Sequence, residues 1–152
     1  MLMKISPEMA KAQANMRPGV ITSDGFLGDD DRSLPDIIAA DETAMEAEEI
    51  TFEEAASQMK RLTKEGKKGL GEPITVEDTW VVRVDDARGH LPSPFEDGIF
   101  RKMNVQVKNK KNGEEMTYSD LSIHLLEKHH FLQGKGSPFR LEPRKLKKVF
   151  EL

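Results

Sequence analysis

The sequence predicts an α+β domain: an N-terminal helical hairpin, a small antiparallel sheet of three or more strands, and a C-terminal helical pair packed on that sheet. Three observations predict it. Apolar residues recur at helical spacing up to Leu62, alternate with polar ones from Met103 to Lys108 after a β-branched run near Trp80, and return to helical spacing after Tyr118. Helices and strands are therefore grouped along the chain rather than interleaved, which is the α+β pattern and not that of βαβ units.

An arm of residues 1–32, with a short helix and an acidic glycine-rich loop, is expected to precede a single domain at 33–152. Ser6 is the N-cap of that helix, Pro7 takes its first position, and the helix runs to Met16. Arg17-Pro18-Gly19 breaks it, and Ser23 to Asp31 is the acidic loop. Ser33 and Asp36 form a capping-box variant for a helix with Ile37, Ala40, Ala44 and Ala47 at helical spacing. Thr51 and Glu54 cap the next, which carries Phe52, Ala55, Ala56, Met59 and Leu62 on one face. Lys60, Arg61, Lys64, Lys67 and Lys68 lie toward its C-terminal end, where cations complement the helix dipole, and Gly66, Gly69 and Gly71 stop it. These two helices are expected to pair antiparallel.

Thr79 to Val84 is β-branched and aromatic and reads as a strand. Gly89 to Gly98 holds two prolines and two glycines and is expected to be an ordered loop or crossover. Met103, Val105 and Val107 alternate with Asn104, Gln106 and Lys108, and Lys111-Asn112-Gly113 marks a hairpin before Glu115 to Tyr118. Ser119 or Asp120 caps a helix expected to reach Leu132, and Gly134 to Pro138 ends it. Glu142-Pro143 opens the last helix, with Leu146, Val149 and Phe150 on one face.

Composition narrows the functional classes. A chain of 152 residues suits one core, and 37% hydrophobic residues against 33% charged ones predicts a chain that is partly uncovered. The absence of cysteine removes disulfides, thiolate nucleophiles, iron–sulfur clusters and cysteine zinc sites. With no apolar run near 18 residues and no charged-then-apolar leader, the expectation is a cytoplasmic protein with no membrane partner. The net charge of −4 conceals an asymmetry: 12 acids and one base from Asp24 to Glu54, but 12 bases and 6 acids from Arg101 to Leu152. The two ends are expected to attract one another, within one chain before between chains, and because a three-stranded sheet is marginal alone, a homodimer or a second protein is the expected partner.

Four histidines are the acid–base and metal candidates. His124 and His129 share a predicted helix at roughly 140° of separation, too far apart to chelate one ion from a regular helix. His129 is therefore expected at the core edge beside Leu125, Leu126 and Leu132, with a backbone partner for its ring. Glu127 and His130 have the spacing of helical di-iron ligands, but no second such pair exists. The metal set that remains is His90 and His124 with Asp24 or Asp29, holding a divalent metal for a hydrolytic reaction. Asp29-Asp30-Asp31 lacks EF-hand spacing, Gly134 to Ser137 lacks the strand that precedes a phosphate loop, and no Gly-x-Ser-x-Gly occurs. Arg144, Lys145, Lys147 and Lys148 make a candidate phosphate-contacting face for nucleic acid, against an acidic chain with one Tyr and one Trp. The leading expectation is a non-enzymatic binding or regulatory module built on the 89–98 and 134–140 loops, with His90, Phe95, Lys135, Ser137, Phe139 and Arg140 as ligand contacts.

Three motifs, Ser23-Asp24-Gly25-Phe26-Leu27-Gly28, Pro92-Ser93-Pro94-Phe95 and Gly134-Lys135-Gly136-Ser137-Pro138-Phe139-Arg140, resemble in pattern a group of small uncharacterised bacterial cytoplasmic proteins, over most of the chain after Met16. The resemblance implies a bacterial, cytoplasmic, single-domain protein and brings with it no activity, ligand or catalytic residue.

Overall fold

The computed structural model describes residues 5–152, so the first four residues of the expected arm lie outside the described residues. The elements are α1 (Pro7–Asn15), α2 (Leu34–Ala47), α3 (Phe52–Gly66), β1 (Ile74–Val76), β2 (Trp80–Pro92), β3 (Ile99–Asn109), β4 (Glu115–Ser119), α4 (Asp120–His129) and α5 (Pro143–Phe150). The order is α+β, and the four strands form one antiparallel sheet in the order β1-β2-β3-β4.

The alternation read in β3 sets the two faces of the sheet. Trp80, Val82, Val84, Met103, Val105, Val107, Met116 and Tyr118 point into the main core, while Arg83, Asn104, Gln106 and Lys108 face solvent. α3 supplies the opposite wall with Phe52, Ala55, Ala56, Met59 and Leu62, and its capping box closes as expected, Thr51 and Glu54 each satisfying the other's backbone N–H. Burial pushes the Tyr118 phenol up, so its O–H stays protonated and donates to the Met59 carbonyl at 2.9 Å. α5 covers one end of the core. Its last carbonyls would be orphaned there, but the Trp80 indole donates to the Val149 carbonyl at 2.7 Å and the Asn109 amide reaches the same oxygen at 3.0 Å.

α2 and α3 follow one another across Glu48–Thr51, yet their neighbours differ. α3 lies beside α4 on the sheet, and α2 packs on α1 and α5. The sheet is therefore covered by α3 together with α4 and α5.

A second apolar cluster lies on the far side of α4. It gathers Ala12 of α1 and Met16 just after it, Phe26, Leu34 and Ile37 of α2, Leu121 and Leu125 of α4, and Phe131. The N-terminal arm is packed into this cluster, with Met16 fully buried and the Leu34 N–H donating to the Gln13 side chain at 2.9 Å. α4 stops at His129 rather than Leu132, because His130 adopts φ 53° and closes the helix in the left-handed conformation. That turn sends Phe131 to the second cluster and Leu132 to the main core.

The 89–98 segment is not a loop throughout. β4 pairs with β3 only as far as Asn104↔Ser119, but β2 and β3 continue as a two-stranded extension to Pro92↔Ile99, leaving Ser93–Gly98 as its tip. The ladder slips between Asp86↔Met103 and His90↔Arg101, where Gly89 takes φ 99° and the bulge turns the extension. Leu91, Phe95 and Phe100 of the extension then pack against the second cluster.

The charge asymmetry acts within the chain. Arg140 makes a two-pronged pair with Asp41 of α2 at 2.6 and 2.7 Å, with Asp41 only 3% exposed, and a third N–H bond runs from Arg140 to the Gln133 carbonyl. Removing one partner leaves a buried charge without its counterion. Arg140→Ala is therefore expected to destabilise the protein by about 3–5 kcal/mol. Urea unfolding of the variant checks this; a midpoint within error of the wild type would contradict it.

Candidate functional site

The two loops singled out in the sequence behave differently. The 134–140 loop is chiefly a docking partner for the acidic loop: the Gly134 N–H donates to the Phe26 carbonyl at 2.9 Å and the Asp29 N–H to the Lys135 carbonyl at 2.8 Å. A Cβ on Gly134 would collide with the Leu27 carbonyl and one on Gly28 with the Lys135 carbonyl, so these glycines permit backbone to touch backbone. Asp30 completes the joint, bonding Arg32 at 2.6 and 2.8 Å and accepting the Lys135 N–H at 3.2 Å. Ser137 is buried and donates to the Gln133 side chain at 2.8 Å. Of the six expected ligand contacts, Ser137 and Arg140 are thus committed to internal bonds, Lys135 projects into solvent, and His90 is exposed on the bulged strand. Phe95 turns inward, stacked on His129 with centroids 3.7 Å apart.

Phe139 remains open to a ligand. With Pro138, Leu91, Phe26, Leu121 and Met103 it lines a cleft of about 270 Å³ between the β2–β3 extension and the 134–140 loop, with Asp24, Arg101, Lys102, Asn104 and Gln133 among its polar groups. A groove of about 420 Å³ on the open sheet face is larger, but Arg83, Lys108, Lys145 and Glu115 make its lining polar and mixed in charge. Apolar walls with a few polar groups are the usual character of a small-molecule site, which favours the smaller cleft.

The expected metal set does not assemble. His90 stands opposite Arg101 in the strand ladder, and Asp29 lies against Gly136. His124 instead meets Asp97, at the tip of the β2–β3 extension, and His129. Its Nε2–H donates to Asp97 Oδ2 at 2.9 Å, and the His129 Nε2–H donates to the same oxygen at 2.6 Å. This corrects both readings of the helix: His129 has a carboxylate partner rather than a backbone one, and its ring lies 5.5 Å from that of His124. Among the described residues this is the one group of three such side chains able to converge on an ion, with its ligand atoms all within 4.8 Å of one another. Partial burial acts to raise the Asp97 carboxyl, but hydrogen bonding from Ser93, His129 and His124 outweighs it and holds the group well below the usual carboxylate range. The di-iron spacing is dispersed, since Glu127 pairs with Lys60 at 2.8 Å and His130 with Glu42 at 2.7 Å.

The basic helix is partly spent on the fold. Lys147 donates to the Glu48 carbonyl at the end of α2 at 2.7 Å, while Arg144, Lys145 and Lys148 are exposed. No helix is long and apolar enough to cross a membrane among the described residues.

No family model, curated protein or solved structure matches the chain. The site's meaning therefore rests on its own geometry.

The joint between the two loops has a pH signature. Hydrogen bonding from Arg32 outweighs desolvation and holds the Asp30 carboxyl well below its ordinary value. A carboxyl depressed by folding stabilises the protein fully above its unfolded value near pH 4, and this contribution is lost as pH falls toward the folded value. Urea midpoints between pH 7 and pH 2 should therefore fall more steeply below about pH 4 in the wild type than in Asp30→Asn. Parallel curves would contradict the assignment.

Proposed function

We propose that the protein is a non-enzymatic binding module, and that its ligand is a small, largely apolar molecule carrying an anionic group. One observation carries the reading: Leu91 of the β2–β3 extension, Phe26 of the acidic loop, and Pro138 and Phe139 of the 134–140 loop, far apart in sequence, line one largely apolar cleft. Its volume of about 270 Å³ lies just under the usual range of ~300–1,000 Å³, which suits a compact ligand.

The apolar body of the ligand packs between Leu91 and Phe139, and its anionic group meets Lys102 and Arg101. Arg101 already pairs with Asp86 at 2.8 Å, so Lys102 is the principal cation for the ligand. Asp24, also in the lining, disfavours dianions by repulsion. The 134–140 loop holds the wall in place through Arg140 and the glycine contacts, which gives the cleft a pre-formed shape.

A thermal-shift survey of small aromatic and aliphatic carboxylates tests the proposal. At least one should raise the melting temperature, by an amount equivalent to about 2.7 kcal/mol when present at 100-fold over its Kd. Leu91→Trp fills the cleft and should abolish that shift, whereas Lys135→Ala, on the exposed turn, should leave it intact. A panel without effect, or a shift that survives Leu91→Trp, would sink the proposal.

A further inference from the structure

The Asp97–His124–His129 group lies outside the cleft and is not used by the binding reading. We propose that these three side chains form a site for a divalent transition-metal ion of the zinc class, bound by two imidazole Nε2 atoms and one carboxylate oxygen.

The donor set suits such an ion. Two imidazoles and one carboxylate are ligands that zinc and its first-row neighbours accept, and three protein ligands leave a further position for solvent or substrate. All three ligand atoms lie within 4.8 Å of one another, and both histidines present the same nitrogen, Nε2, to the same Asp97 oxygen. Convergence of this kind is a property of the fold and not of one flexible side chain: the histidines stand on α4, and the aspartate arrives from the hairpin tip.

Both imidazole rings are also held in place by aromatic neighbours. Phe95 stacks on His129 at 3.7 Å with planes 3° apart, and Phe100 lies against His124 at 4.4 Å and 32°. Both aromatic residues flank Asp97 in sequence, so the segment that supplies the carboxylate also clamps the two imidazoles. Rings held in this way lose little freedom when they bind an ion, which is the requirement for a pre-organised site.

Binding requires a small and defined change. Bonds of about 2.0–2.1 Å in tetrahedral geometry place neighbouring ligand atoms roughly 3.3 Å apart, so the present contacts of 2.9 and 2.6 Å must open by roughly 0.4 and 0.7 Å. Asp97 sits in an exposed turn beside Gly98 and can give by that much. Each neutral imidazole moves its proton from Nε2 to Nδ1 to free the lone pair, and an imidazolium releases one proton to solvent. The ion then replaces two N–H bonds to Asp97 and ties the hairpin to α4 through three coordinate bonds.

Untagged protein, stripped with chelator and dialysed, is titrated with ZnCl₂ by calorimetry and with CoCl₂ by visible absorption. The expected result is saturable binding of one ion per chain, a Co²⁺ spectrum of low-coordinate type, and ¹⁵N imidazole NMR shifts at Nε2 of His124 and His129 with His90 and His130 unmoved. Asp97→Asn, His124→Gln and His129→Gln should each weaken Zn²⁺ by more than the ~10–100-fold typical of an outer-shell change, while His90→Gln matches wild type. The NMR readout uses the unmutated protein, so a variant that fails to fold does not decide the matter. Non-saturable binding, or resonances that move at His90 or His130 instead, would overturn the proposal. The carboxylate survey reads the cleft separately, and either result stands without the other.

Discussion

The architecture depends on one constraint: α4 must bury two faces at once. Ile123 and Leu126 belong to the main core beneath α3, while Leu121 and Leu125 belong to the second cluster with α1, α2 and Phe131. A ten-residue helix with apolar residues on both flanks has only a narrow polar stripe left, and His124, Glu127 and Lys128 occupy it. The outer flank of such a helix cannot be left to water. The β2–β3 extension, α1 and the start of α2 are what cover it, and burying its leucines is worth about 1.5–3 kcal/mol for each side chain.

Covering that flank places the chemistry. The bulge at Gly89 turns the two-stranded extension toward α4, which brings Phe95 and Phe100 onto the histidine rings and Asp97 onto their Nε2 atoms. The tip is also tied to α1, through Asn15 donating to the Pro94 carbonyl at 2.9 Å and through the exposed Lys11–Glu96 pair. On the other side of the extension the acidic loop and the 134–140 loop lock together backbone to backbone, and the space left between them and Leu91 is the cleft. The cleft and the histidine group thus share a single cause, the return of β2 and β3 across the second cluster.

Much of this was legible in the residues, and the parts that were not share a physical reason. The Thr51–Glu54 capping box, the alternation in β3 and the apolar face of α5 are local signals, and each element stands where its signal lies. Gly89 to Pro92 reads as a loop by composition, but backbone pairing with Ile99 to Arg101 outweighs the weak strand propensity of Gly and Pro at a bulge and a strand end. The pairing of Arg140 with Asp41, 99 positions apart, is set by tertiary packing, and sequence gives only the two signs. The meeting of His124 and His129 escapes a helical wheel because side chains lean back over the preceding turn. His129 also ends its helix, so no following turn confines its ring. Asp97, the third member of that group, carries no local signal at all; it lies in a Pro/Gly-rich tip whose direction is fixed by the bulge.

The most direct measurement of this account is hydrogen–deuterium exchange on the wild type and on Leu125→Ala, a change confined to the outer flank of α4. α1 and residues 91–100 are expected to lose protection together, because they cover one surface, while Trp80–Val84 and Val105–Tyr118 keep theirs. A loss confined to α4, or one spread evenly through the sheet, would show that the extension and α1 are not held by the second cluster and would contradict the account.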